Sequence, residues 1–140
     1  KAAVADPAAV KTEFDDTFVG VGKAAVTLYC SHYLTPSGRE RVVAALRDEL
    51  RDRGLARTGR SHEPEDHLAV LCGVMRHLVR EGSGSYELDR QKAFFLRYIQ
   101  PAYIELTDAV LICAETHFYQ DVARVTRAFF DVESESFQMV

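Results

Sequence analysis

The densest group of chemically capable side chains in this 140-residue sequence is His62-Glu63-Pro64-Glu65-Asp66-His67. Glu63 and His67 are four residues apart, a spacing that puts both on one face of a helix and can hold a metal ion. Two ligands without an evident third leave such a site incomplete. Acidic residues at a helix entrance are also good N-terminal capping. His77 stands ten residues beyond His67, roughly 15 Å along a helix axis, so the two histidines cannot share one metal. Elsewhere the chemistry is sparse. Cys30, Cys72 and Cys113 are odd in number, far apart and without C-x-x-C spacing, so they signal neither a disulfide framework nor a zinc knuckle. Cys72 and Cys113 fall in apolar helical patterns and are expected to act as small core hydrophobes. Gly20-Val21-Gly22-Lys23 lacks the spacing of a phosphate loop, and neither a G-x-S-x-G elbow nor an H-E-x-x-H pair occurs. The expectation is a protein that is not an enzyme and carries no cofactor.

The elements that must position this cluster are helices. Pro64 pre-sets a first helical turn, Glu65 and Asp66 suit the positive end of the helix dipole, and Asp66 is expected to accept backbone donors there. Leu68, Leu71, Cys72, Met75, Leu78 and Val79 then form an apolar stripe that stops at Gly82, with half-buried His67 at its edge. Upstream, Asp6-Pro7 caps a helix through Phe14 and Phe18 to Gly20. Val26–Leu34 reads as a short helix or an ordered connection. Thr35-Pro36 opens a helix with Val42, Val43, Leu46 and Leu50 on one stripe and Gly54 as its stop. Downstream of Gly82–Ser85, Leu88, Phe95, Tyr98 and Ile99 build a helix that should end before Pro101. Tyr103 to Ile112 suggests a central helix, and Phe118, Val122, Val125 and Phe129 suggest the core stripe of a last one, with Glu133–Val140 frayed. No strand finds a partner, so the expected fold is all-α: a single-domain, bundle-like assembly of about six helices.

Hydrophobic residues at 47% and charged residues at 27% are ordinary globular composition, and no run approaches the ~20 apolar residues of a membrane span. A net charge of −4 has the wrong sign for a phosphate-neutralising domain. The arginines at 39, 41, 47, 51, 53, 57 and 60 interleave with Glu40, Asp48, Glu49 and Asp52, which favours a salt-bridged helix face. A DNA-binding or ligand-responsive regulator using the arginine-rich helix 37–53 is the alternative reading.

Glu63-Pro64-Glu65-Asp66-His67-Leu68, continuing through Leu71 and Met75 to Leu78, resembles the E-P-x-D-H-(I/L) signature of the TorD/DmsD/NarJ-type redox-enzyme maturation chaperones. Tyr29-Cys30-Ser31-His32-Tyr33-Leu34 is similar to that family's Ser-x-Tyr-Leu segment. Arg53-Gly54-Leu55, Gln91 to Phe95, Pro101 and Phe118-Tyr119 follow in the family's order, so the resemblance spans about residues 13 to 133. One departure is Ala102-Tyr103, where family members commonly carry a tryptophan after the proline; this chain contains none. The resemblance implies a cytoplasmic, all-helical, non-catalytic chaperone. Its partners would be the twin-arginine leader and the catalytic subunit of a molybdopterin-dependent oxidoreductase, matured before export, and not nucleic acid. Peptide-binding residues would be Ser31, Tyr33, Glu63, Pro64, Asp66, His67, Leu68, Leu71 and Met75, with Tyr103, Phe118 and Tyr119 adding adaptable apolar surface. Residues 1–140 would form one domain that lacks the N-terminal helices of longer family chains. It would be a monomer or a homodimer that exchanges helices at Gly82–Ser85.

Overall fold

Asp6 accepts the Ala8 N–H at 3.1 Å and Pro7 fills the first helical position, so the chain enters α1 (Pro7–Phe14) as its sequence predicts. The computed structural model describes residues 5–60 and 62–140, which are all-α with no strand among them. After α1 come α2 (Ser31–Leu34), α3 (Arg39–Asp52), α4 (Leu68–Glu81), α5 (Ser85–Phe94), α6 (Gln100–Ile112) and α7 (Phe118–Gln138). Among the described residues no helix is long and apolar enough to cross a membrane. The chain divides into two units, one made of residues up to Leu28 with Tyr103–Met139, the other of Tyr29–Ala102.

In the first unit α1 widens into a π turn, Asp15–Val19, closed by the Gly20 N–H on the Asp15 carbonyl at 2.7 Å. Gly20 then turns the chain away at φ 66°, where a Cβ would meet the Lys23 carbonyl oxygen at 2.4 Å, so only glycine fits. Val26, Val110 and Ala123 form a core covered by Phe18 and Tyr119. Arg127 ties α7 to α6 through Thr107 Oγ1 and Asp108 Oδ1, each at 2.8 Å, and the Tyr103 hydroxyl donates to Asp131 at 2.6 Å. Glu13 supplies the missing cap of α7: its carboxylate accepts the N–H groups of His117, Phe118 and Tyr119 at 2.8, 3.1 and 2.8 Å. Burial alone would raise the Glu13 pKa. The three backbone donors outweigh it and hold the carboxyl below its ordinary range.

In the second unit α4 packs on α5 and on the π turn that follows α5, while α2 packs on α3. Leu46, Leu71, Leu78, Phe94 and Ile99 are almost wholly buried. Gln91 reaches back to the end of α4, donating to the Leu78 and Gly82 carbonyls at 3.3 and 3.0 Å. Glu49 joins α3 to the π turn, accepting from Arg53 at 2.7 Å, the Tyr98 hydroxyl at 2.7 Å and Arg97 at 3.2 Å.

Several expectations are corrected. Pro101 does not end a helix: α5, the π turn Phe95–Ile99 and α6 run on continuously. The Gln100 N–H bonds to the Phe95 carbonyl, five residues back, and this wider turn lies where a proline ring would press on the preceding carbonyls. The helix placed at Pro36 begins at Arg39, after Gly38 turns at φ 72°. In α4 the buried residues are Leu71, Val74 and Leu78, while Cys72 and Val79 are exposed. Cys113 is half-buried, and it is Cys30 that lies in the core, its thiol pushed up to about 12 chiefly by burial. In α7 the stripe Phe118, Val122, Val125 and Phe129 faces outward, whereas Ala123, Phe130 and Phe137 face inward, and the segment expected to fray is helical to Gln138.

The Glu13 cap makes a pH-dependent contribution. Because its folded pKa is depressed, the stability it adds is present above the unfolded carboxyl value of about 4.3 and is lost as pH falls through the lower folded value. Glu13→Ala should cost about 1 kcal/mol near pH 7, and the variant should converge on the wild type in acid. Thermal melts between about pH 3 and 7 check this; a constant offset across that range would contradict it.

Candidate functional site

His67 itself is the N-cap of α4, its Nδ1 accepting the Ala69 N–H at 3.1 Å with extended backbone at ψ 134°. Asp66 is therefore displaced from the capping role and turned inward. It is 5% exposed, and its Oδ2 accepts the Ser31 hydroxyl at 2.5 Å while its carbonyl accepts the Cys30 N–H at 2.8 Å. Tyr29 and His67 form an isolated antiparallel bridge with their rings edge-to-face at 5.5 Å. The two motifs singled out by sequence, around Ser31 and Asp66, are thus stitched together.

The acidic residues of the cluster divide by environment. Glu63 is exposed and accepts the Tyr29 hydroxyl at 3.1 Å. Glu65 is buried and takes a two-pronged contact from Arg47 of α3, Nε to Oε1 at 2.9 Å and Nη2 to Oε2 at 3.2 Å. That guanidinium holds the Glu65 carboxyl below the ordinary carboxylate range against the opposing effect of burial. Among the described residues no group of three His, Cys, Asp or Glu side chains is placed to hold a metal.

Beside this cluster, between α3 and α4, opens a cavity of about 800 Å³. Leu50 and Leu55 at the end of α3 and Val70 and Val74 on α4 give it apolar walls; Arg47, Glu63 and Glu65 stand among its lining residues. A second hollow of about 470 Å³ touches Tyr29, Ser31, Val43, Pro64 and Asp66. Sequence reasoning named the stripe through Leu71 but missed the one through Val70 and Val74, which lines the cavity between α3 and α4. The signal was present as Val70, Val74 and His77 at i, i+4, i+7; what was absent was any local sign that α3 stands opposite.

The expected binding residues fall into three groups. Pro64, His67, Leu68, Met75 and Tyr33 are half-buried, and Glu63 is open to solvent. Ser31, Asp66 and Leu71 are buried, and the Ser31–Asp66 bond holds the cluster from behind. Tyr103, Phe118 and Tyr119 belong to the first unit, where Tyr103 is buried and Phe118 and Tyr119 meet edge-to-face at 5.2 Å. Three of the seven arginines in the arginine-rich segment pair with carboxylates: Arg47 with Glu65, Arg51 with Asp48 and Arg53 with Glu49.

A double-mutant cycle tests the Ser31–Asp66 stitch. Ser31→Ala and Asp66→Ala should each cost about 1–3 kcal/mol, and the double variant should fall short of their sum by about 1.5–3 kcal/mol, the range for a hydrogen bond to a charged group. Urea unfolding reads all four proteins; costs that simply add would contradict the contact.

No curated protein and no solved structure matches the chain. The sequence model of the family described as nitrate reductase delta subunit matches residues 1–106, a stretch that contains the stitched motifs and every residue lining the cavity between α3 and α4. With that match over most of its length, the chain belongs to the nitrate reductase delta subunit family, the NarJ/TorD-type chaperones of redox-enzyme maturation.

Proposed function

We propose that this protein is a cytoplasmic, non-catalytic chaperone, one domain over residues 1–140, that binds the twin-arginine leader of a molybdopterin-dependent oxidoreductase precursor before export. The observation that carries the reading is the cavity of about 800 Å³ between α3 and α4, apolar along Leu50, Val70 and Val74 and edged by Glu63 and Glu65. Such a volume is in the range that holds a few apolar side chains in a largely pre-formed site. An apolar leader segment enters against α4, and a guanidinium beside it meets the exposed Glu63 carboxylate. Glu65 already holds Arg47, so a leader arginine there joins or displaces an existing pair, whereas Glu63 offers its charge to solvent. The overall charge of −4 draws a basic leader toward the protein.

A leader that binds only the folded state raises stability by about 2.7 kcal/mol at a hundredfold excess over its Kd. At ~2–4 °C per kcal/mol, the melting temperature should rise by roughly 5–10 °C. Replacing both leader arginines by glutamine, or Glu63→Gln in the protein, should shrink that rise; Val70→Trp, which fills the cavity from a half-buried position, should remove it. A panel of twin-arginine leaders that leaves the melt unmoved would overturn the proposal, as would a shift indifferent to Val70→Trp.

A further inference from the structure

The outward side of α7 is apolar over most of its length: Phe118, Val122, Val125, Phe129 and Val132 are exposed, Val125 at 71%, Phe129 at 57% and Val132 at 61%, and exposed Met139 follows directly after the helix. Their spacing alternates four and three residues, with Ser136 filling the remaining position, so they occupy the a and d positions of consecutive heptads. The opposite side of the same helix, Ala123, Phe130 and Phe137, is already buried. A helix apolar on two sides serves two partners. Five large side chains this exposed on each of two copies, from Val122 to Met139, would give paired seams an area on the order of 1,000 Å², where specific interfaces begin.

We propose that α7 pairs antiparallel with α7 of a second copy of this chain through that seam. The seam is self-complementary in one register. With Phe129 set beside the partner's Val132, Val122 meets the partner's Met139 and Val125 meets the partner's Ser136, so larger side chains face smaller ones and knobs find holes. Flanking charge agrees with that register. Ala128 comes opposite the partner's Glu135, no acidic residue opposes another, and Asp121 is bound to its own Arg124 at 2.6 Å. Acidic Asp121, Glu133 and Glu135 beside the seam also oppose an anionic lipid surface as its occupant. This inference stands apart from leader binding at α3 and α4, which uses a different unit.

Sedimentation equilibrium of the full chain between about 1 and 100 μM, without leader, tests it. The wild type should show a monomer–dimer equilibrium. Phe129→Glu and Val125→Glu should raise the dimer Kd at least tenfold while circular dichroism keeps the helical signal and a cooperative melt. Should either fail to fold, the exposed change Ala128→Lys, which faces the partner's Glu135 at both ends of the pair, decides: it should tighten the dimer. A monomeric wild type at 100 μM, a dimer indifferent to the seam variants, or an Ala128→Lys protein that dimerises no more tightly would overturn the proposal. So would a monomer whose leader-induced melting shift is lost in the seam variants, because the occupant would then be the leader.

Discussion

The second unit depends on one buried carboxylate. Asp66 sits almost out of water, where an ionised group is costly unless it is bonded, and the Ser31 hydroxyl 2.5 Å away supplies the bond. The contact closes a loop of 35 residues that contains the whole of α3. Because the Cys30 N–H also binds the Asp66 carbonyl, position and direction of the chain are set together. His67 is left to cap α4, Glu65 is aimed at Arg47, and Glu63 is left at the surface beside Tyr29. Without that stitch the same six residues would be an ordinary acidic helix entrance.

α3 is the second half of the device, and its two sides carry opposite electrostatic roles. On one side Arg47 neutralises Glu65 next to the cavity. On the other, burial would raise the Glu49 pKa, yet Arg53, Tyr98 and Arg97 hold it low; the Tyr98 phenol is pushed up to about 12, first by burial and then by that carboxylate. Both clusters fix the helix through charge-assisted bonds, so the cavity between α3 and α4 is held open by polar pairs as well as by its apolar wall.

The helical class and several boundaries could be read from short-range rules, because Asp6-Pro7, Gly54 and Gly82 act through their own backbone conformations. So could the importance of Asp66 and His67, although not their roles, since capping by His67 and burial of Asp66 both follow from a partner 35 residues away. Periodicity shows that a helix has an apolar side and fails where it has two: in α7 the seam with more apolar positions is the outer one, and in α4 Val74 displaces Cys72 and Val79 from the core. Pro101 misled for a related reason, because the π turn ahead of it depends on the burial of Phe95, Tyr98 and Ile99 rather than on any local signal. The cavity had no local signature, being made by α3 and α4 together.

The most direct measurement is backbone hydrogen exchange of the full chain with and without a cognate twin-arginine leader, read segment by segment. Leader binding between α3 and α4 predicts slowed exchange at residues 50–58 and 68–77, with residues 118–138 unchanged. Slowing confined to residues 118–138, or none around the cavity while the leader is bound, would contradict it.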